Sequence, residues 1–73
     1  MTRYTFGENL KYYRSLRGVT QEQLASKLNI SKITISYWEN AVRYPRLNTV
    51  YDIARVLGID PMLLLDDKNS WQN

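Results

Sequence analysis

The chain has 73 residues, of which 44% are hydrophobic and 23% charged, and its formal net charge is +3. This composition is typical of one small globular domain, near the size at which a single apolar core is only marginally sufficient. Because the sequence holds no Cys and no His, it excludes disulfides, thiolate chemistry and histidine-based metal or acid–base sites. No apolar run approaches the ~18 residues of a membrane-spanning helix, so we expect a cytoplasmic protein with no membrane partner.

Charge is distributed unevenly along the chain. Residues 1–46 carry eight Lys or Arg against three acidic residues, whereas residues 47–73 carry two against four. Taken alone, this asymmetry is a weak indication that the first part of the chain faces a polyanion.

The first helix is predicted from Thr5 onward. Thr5 and Glu8 have the spacing of a capping box, in which the two side chains accept hydrogen bonds from backbone N–H groups that the first turn leaves without partners. Phe6, Leu10 and Tyr13 recur at helical spacing and should face the core, and Gly18 should end the helix.

A second helix is predicted to begin after Thr20. Thr20 and Gln23 form another capping-box pattern, and Val19 and Leu24 have the spacing of a hydrophobic staple around it. Asn29 tolerates the left-handed backbone of a tight turn, so the second helix should end there.

Ser31 is the predicted N-cap of a third helix that ends near Asn40. Ile30 and Ile35 repeat the staple spacing around it. Two short helices joined by a tight turn give the geometry of a helix-turn-helix.

A fourth helix is predicted to begin at Leu47 or Thr49, after a loop marked by Pro45, and to end at Leu57 before Gly58. Its predicted core residues are Val50, Ile53, Ala54 and Leu57.

Asp60 as N-cap and Pro61 at the first helical position then predict a short fifth helix, Pro61–Leu65. We therefore expect one domain over residues 1–65 and a polar C-terminal tail over residues 66–73.

Three segments in this order resemble the phage repressor and Cro-type (lambda repressor-like, XRE) helix-turn-helix family. They read T-Q-E-Q-L-A at 20–25, I-S-K-I-T-I-S-Y-W-E-N at 30–40 and L-N-T-V-Y-D-I-A-R-V-L-G-I at 47–59. The resemblance implies an all-α, compact five-helix domain. It further implies a sequence-specific double-stranded-DNA-binding transcriptional regulator, more often a repressor, that binds a pseudo-palindromic operator as a dimer with its third helix in the major groove.

The third helix should present one face to the core and the other to DNA. At about 100° per residue, Ile35, Trp38 and Glu39 point inward. The candidates for base readout are Lys32, Ile33, Ser36 and Tyr37. A Lys suits guanine acceptors and an Ile suits a thymine methyl group. The alternative is a merely solvated helix face.

The candidates for contact with the DNA backbone are Gln21, Ser31, Asn40, Arg43 and Arg46. Gln21 and Asn40 match family positions that contact phosphates, whereas Arg43 and Arg46 are placed by the loop before the fourth helix for phosphate or minor-groove contact. For Arg46 a solvated surface charge is an equally good interpretation. Arg14 and Glu39 match a family pair that forms a partly buried structural salt bridge, which leaves no free acid–base constellation. We therefore expect no enzyme activity, no cofactor and no small-molecule substrate.

The sequence departs from the family pattern at two positions between the third and fourth helices. Ala41 stands where Gly is usual, so the left-handed residue is expected to move to Asn40. Arg46 stands where a capping Ser is common, which leaves the start of the fourth helix open.

The fifth helix is more apolar than so short an element can bury in one small domain. We expect Met62, Leu63 and Leu65 to form a homodimer interface, the alternative being loose packing with one or two exposed apolar groups. A second interpretation of the chain is a protein-interaction module, such as an antitoxin or adaptor, whose partner binds the fifth helix and Trp71.

Overall fold

Five α-helices follow one another in the computed structural model, which describes the backbone of residues 3–66 and the side chains of residues 5–66. They are α1 (Arg3–Leu16), α2 (Gln21–Leu28), α3 (Lys32–Glu39), α4 (Leu47–Leu57) and α5 (Pro61–Leu65). All regular elements in the described range are helical, so the predicted all-α, five-helix architecture is confirmed. None of these helices is both long and apolar enough to cross a membrane. Most of the predicted tail, including Trp71, lies outside the described residues.

The start of α1 differs from the prediction. The helix begins at Arg3, so Thr5 and Glu8 lie inside it and do not form an N-terminal capping box. A T-x-x-E pattern begins a helix only where the preceding residues leave the helical conformation. Neither Arg3 nor Tyr4 interrupts it, since neither is Gly or Pro.

The core is built from the inward faces of all five helices. The apolar core positions predicted for the first, third and fourth helices are confirmed as buried, and Leu24 of α2 and Leu64 of α5 join them. The buried hydrophobic residues of the described range are Phe6, Leu10, Tyr13, Leu24, Ala25, Ile35, Trp38, Val50, Ile53, Ala54, Leu57 and Leu64.

Three of the helix–helix connections contain the same three-residue pattern, at residues 18–20, 29–31 and 58–60. The first residue is left-handed, with φ of 70° at Gly18, 60° at Asn29 and 68° at Gly58. The second is apolar, and its N–H donates to a carbonyl five residues back at 3.0 Å. This is the Schellman arrangement, which satisfies the last carbonyls of the preceding helix. We call these three segments the tripeptide connectors.

The third residue of each tripeptide connector caps the following helix. Thr20 Oγ1 accepts from the Gln23 N–H at 3.0 Å while the Gln23 side chain accepts from the Thr20 N–H at 2.9 Å. Ser31 Oγ accepts from the Thr34 N–H at 3.3 Å, and Asp60 caps α5 through the Met62 N–H at 2.9 Å. The predicted N-caps of α2, α3 and α5 are therefore confirmed.

The fourth connection, residues 41–46, follows a different plan. Ala41 itself is left-handed, with φ of 62°, whereas Asn40 has φ of −97°, so the expected shift of the left-handed residue to Asn40 is wrong. The reason is that the Asn40 N–H still makes a helical hydrogen bond to Ser36 O, at 3.0 Å, which moves the turn one residue on. α4 then begins at Leu47, and Arg46 precedes it without any side-chain cap.

α5 is held against the domain more closely than its apolar sequence predicts. Leu64 is fully buried, Leu63 and Leu65 are half-buried against the core, and only Met62 is strongly exposed, at 57%. Asn9, a fully buried residue of α1, donates from Nδ2 to Leu64 O at 2.9 Å and to the carbonyl of residue 66 at 2.6 Å. The end of α5 is thus fixed to α1.

Candidate nucleic-acid interface

α3 is locked on its inner side and open on its outer side. Ile35 and Trp38 are buried in the core. Ile33 is 61% exposed and Tyr37 39% exposed, and Lys32 is also exposed at the first turn. A continuous outer face of cationic, aliphatic and phenolic groups therefore stands on a rigid support.

The end of α3 is held by an ion pair with several donors. Arg14 Nε donates to Glu39 Oε2 at 2.6 Å and Nη2 donates to Oε1 at 3.2 Å, which is a bidentate arrangement. The two side chains are only 13% and 4% exposed. Arg14 Nη1 also donates to Val19 O at 2.8 Å, and Gln21 Nε2 donates to Glu39 Oε1 at 2.9 Å. This network joins α1, α2 and α3, and removing either charge leaves the other buried.

Tyr37 and Arg43 form one unit at the outer edge of α3. The N–H groups of Val42 and Arg43 donate to Tyr37 O at 2.9 and 3.3 Å. The Arg43 guanidinium carbon lies 5.6 Å from the centroid of the Tyr37 ring, within the range of a cation–π contact. The charge of Arg43 is therefore held beside the outer face of α3.

An open cleft of about 660 Å³ lies between the end of α3 and the start of α4. Its lining residues are Trp38, Val42, Arg43, Tyr44, Pro45, Arg46 and Thr49. The first amide N–H groups of α4 receive no side-chain cap from Arg46. The positive end of a helix dipole without a side-chain cap, in a cleft that Arg43 and Arg46 line, favours an anion.

The wall of this cleft is fixed by an aromatic contact. The Tyr44 ring packs edge-on against Phe6, with centroids 5.3 Å apart, and burial raises the pKa of the Tyr44 hydroxyl above its ordinary value. The connection is therefore anchored in the core even though its backbone carries a strained residue at Ala41.

A helix-turn-helix family model matches residues 10–64 of the chain. The chain belongs to the helix-turn-helix family. It is 34% identical over 64 residues to an uncharacterized HTH-type transcriptional regulator of Archaeoglobus fulgidus, covering 85% of this chain and 91% of the relative. It is 44% identical over 50 residues to the regulator MJ0272 of Methanocaldococcus jannaschii, covering 68% and 76%.

Among solved structures, the restriction-modification controller protein C.AhdI of Aeromonas hydrophila is 27% identical and superposes with a TM-score of 0.79. That likeness covers 85% of this chain and 94% of C.AhdI. The resemblance to phage repressor and Cro-type regulators is thereby confirmed, and the family and these relatives are DNA-binding transcriptional regulators rather than enzymes.

Within this helix-turn-helix, three residues predicted to contact the DNA backbone already have partners inside the protein. The Gln21 amide nitrogen donates to Glu39, and Ser31 Oγ caps α3 and lies 3.0 Å from Thr34 Oγ1. Asn40 Nδ2 donates to Ser36 O at 2.9 Å and to Ser36 Oγ at 3.2 Å. The structure therefore gives these polar groups a positioning role in the helix-turn-helix, and it leaves Arg43 and Arg46 as exposed cations.

Sequence reasoning missed two features of this helix-turn-helix domain. Gly7 is buried in α1 against the end of α3, and the available signal was an isolated Gly inside a helical pattern. Leu47 and Tyr51, one turn apart on α4, are both exposed. Their i, i+4 spacing was visible in the sequence, but both positions lie outside the inward stripe that the periodicity identified.

Proposed function

We propose that the protein is a sequence-specific double-stranded-DNA-binding transcriptional regulator that reads the major groove with the outer face of α3. One observation carries the proposal, namely the strong exposure of Ile33 on a helix whose opposite side is buried and tied by an ion pair. A large aliphatic side chain directed into solvent from a rigid helix fits a protein that meets an apolar surface there. In the major groove that surface is the thymine methyl group.

Base readout is assigned to four residues. Lys32 at the first turn donates to guanine O6 or N7, and Ile33 packs on a thymine methyl group. Tyr37 lies one turn after Ile33 on the same outer face and adds a hydroxyl to the readout. Ser36 is half-buried and its Oγ accepts a hydrogen bond from the Asn40 side-chain amide, so Ser36 contributes least to base readout.

Backbone contacts are assigned chiefly to the cleft between α3 and α4. A phosphate at its mouth would meet the uncapped start of α4 together with Arg43 and Arg46. Gln21 then acts by fixing α2 to Glu39 of α3, while Ser31 and Asn40 stabilise the two ends of α3, with any phosphate contact added to these internal hydrogen bonds. Phosphate contacts set the register of the protein on the duplex, and the base contacts of α3 give it sequence preference.

A homodimer through α5 completes the proposal. Met62 is the exposed centre of this surface, with the half-buried Leu63 and Leu65 beside it. A two-fold dimer there would bind half-sites about one helical turn, ~34 Å, apart. It would also keep the acidic second part of the chain away from DNA. We favour repression, in which the bound dimer covers a promoter. We also favour a cytoplasmic location for the protein.

The test is selection from a pool of random duplex DNA with sequencing of the bound fraction. It should be run on the wild type and on Lys32→Ala, with Lys27→Ala as a control that removes the same charge from an exposed position of α2. We expect a two-fold-symmetric motif for the wild type and for Lys27→Ala. Lys32→Ala should lose one position of the motif, at a cost of about 1–3 kcal/mol for that base pair.

The same selection separates DNA reading from a protein-interaction role. If the wild type enriches no motif and binds DNA only weakly at every salt concentration, the helix-turn-helix is a scaffold. The exposed Met62 would then mark the site of a protein partner, as in an antitoxin or adaptor.

The dimer is tested separately by light scattering on the wild type and on Met62→Asp. We expect the wild type to reach twice the monomer mass at high micromolar concentration, and Met62→Asp to remain a monomer. A wild-type mass equal to the monomer, both free and on DNA, would contradict the dimer.

A further inference from the structure

Gly7 occupies a position where a glycine is locally unfavourable. It lies inside α1, where Gly is about 1 kcal/mol less favourable than Ala because it loses more backbone entropy. Its backbone does not use the left-handed region, which in this chain belongs to Gly18 and Gly58 among the glycines. Some tertiary contact must therefore explain it.

That contact is with the backbone at the end of α3. A Cβ atom on residue 7 would lie 2.5 Å from Trp38 O and 2.8 Å from Glu39 O. Both distances are far shorter than the ~3.3 Å at which carbon and carbonyl oxygen normally meet. Because the obstructing atoms belong to the backbone, no rotamer change can make room for a methyl group. Gly7 therefore marks a close approach of the α1 backbone to the end of α3.

The same face of α1 holds α3 at a second point. Arg14 lies two helical turns after Gly7, and its guanidinium group donates to the Glu39 carboxylate in the bidentate ion pair. The end of α3 is thus fixed to α1 both through its backbone and through a side chain. Its beginning is fixed independently by the tripeptide connector at residues 29–31.

We propose that Gly7 is a positioning residue for DNA readout, which sets the tilt of α3 by allowing its C-terminal end to lie directly on α1. The proposal rests on the DNA-reading function of α3 argued above. A methyl group at residue 7 would open roughly 1 Å between the two helices. Because α3 is only about 12 Å long and is anchored at its start, the result would be a tilt on the order of 5°.

The tilt should affect some base-pair positions of the operator more than others, and this difference can be measured. The tilt would move the Lys32 side chain little, because it lies near the anchored start of α3. It would move the Tyr37 side chain more, because that residue lies near the displaced end. Base pairs read through Tyr37 would lose preference, whereas those read through Lys32 would keep it. A variant that is merely unstable lowers the folded fraction and weakens binding to every sequence by the same factor.

The experiment compares Gly7→Ala with the wild type in the random-duplex selection. Lys32→Ala and Tyr37→Ala identify which motif positions depend on each end of α3. Ile53→Val is the matched control, since it removes a buried methyl group from α4 and lowers stability without touching the base-reading residues. The quantity compared is the ratio of affinities for the selected motif and for a scrambled duplex at one salt concentration.

We expect Gly7→Ala to lower that ratio about tenfold, with the loss confined to the Tyr37-dependent positions. Ile53→Val should leave the ratio unchanged. Backbone residual dipolar couplings of the free protein should report a reoriented α3 in Gly7→Ala and not in Ile53→Val. A ratio within twofold of the wild type, or an unchanged α3 orientation, would overturn the role of Gly7 while the DNA-reading function stands.

Two other outcomes are also decisive. Absence of any motif for the wild type would overturn the DNA-reading function and this role together. If Gly7→Ala does not fold, both members of the comparison are made in an Ala41→Gly background, which relieves the strained residue after α3 and raises stability. An unchanged affinity ratio in that background contradicts the proposal in the same way.

Discussion

The tripeptide connectors and the fourth connection do the same geometrical task with different chemistry. Each connector supplies a left-handed Gly or Asn, an apolar residue and a capping Thr, Ser or Asp. Residues 41–46 begin with a left-handed Ala and end at Arg46, which offers no cap to α4. The three tripeptide connectors therefore end one helix and cap the next with their own residues. The fourth connection is strained at its first residue, and its last residue gives α4 no side-chain cap.

The difference coincides with the phosphate site that we propose between α3 and α4. The fourth connection is held by tertiary contacts instead, through the Tyr44 ring on Phe6 and the ion pair at Glu39. Its two arginines line one cleft, beside the start of α4, which has no side-chain cap from Arg46. Strained backbone residues and missing helix caps are commonest at functional sites, where a bound ligand can supply the interactions that the neighbouring residues do not.

The largest effect should come from removing the tertiary support at the end of α3. Arg14→Met leaves the Glu39 carboxylate buried without its partner, so we expect a loss of about 3 kcal/mol of unfolding free energy in urea denaturation. The double variant Arg14→Met/Glu39→Gln should recover most of this loss because it buries no lone charge. Arg55→Met is the control, since its pair with Asp52 is exposed and should be worth under about 1 kcal/mol. Equal losses from both arginines would contradict the tertiary anchoring of α3.

Exchanging the first residues of the two kinds of connection should change stability in opposite directions. Ala41→Gly relieves a left-handed non-glycine residue and should add about 1 kcal/mol. Gly18→Ala should cost about the same, and a Cβ there would meet nothing within 4 Å, so the effect isolates backbone strain. Thermal or urea unfolding measures both, and a destabilised Ala41→Gly would show that the fourth connection is not strained.

Exchanging the capping residues should separate stability from DNA binding. Thr20→Ala removes a cap and should cost about 1 kcal/mol of unfolding free energy. Arg46→Ser adds a capping hydroxyl to α4 and should gain several tenths of a kcal/mol, while binding to DNA weakens. The slope of log affinity against log salt should fall by about one unit, since one phosphate contact is lost. An unchanged slope would instead support Arg46 as a solvated surface charge.

Apart from Arg14 and Glu39, a distant pair that the family resemblance supplied, the residues that sequence reasoning located correctly are those whose structure depends on near neighbours. Thr20 with Gln23 and the left-handed Asn29 depend on contacts a few residues apart, so spacing alone predicts them. The partners of Gln21 and the role of Gly7 depend on α3, which comes close only after folding. Ala41 shows the intermediate case, because a local rule pointed to Asn40 and one helical hydrogen bond overrode it.

The smallest effect should appear at alkaline pH and should locate the part played by Tyr44. Burial raises the pKa of Tyr44, and burial followed by the nearby Tyr12 and Asp66 raises the pKa of Tyr13. A raised folded-state pKa means that the folded protein holds the phenolic proton more tightly than the unfolded chain. This stabilisation is complete below the unfolded pKa of about 10 and is lost as pH rises through the folded values.

Urea denaturation from pH 8 to pH 11 should therefore show the wild type losing stability above about pH 10. Tyr44→Phe should reduce the slope of unfolding free energy against pH and leave the contribution of Tyr13 in place. The double variant Tyr44→Phe/Tyr13→Phe should reduce that slope further. Because the Tyr44 ring packs on Phe6 while the residue stays 38% exposed, we expect its share of the slope to be smaller than that of Tyr13, which is 7% exposed. Superimposable curves for the wild type and Tyr44→Phe would mean that the Tyr44 hydroxyl is as well solvated in the folded protein as in the unfolded chain, which would contradict the burial of its hydroxyl at the wall of the cleft.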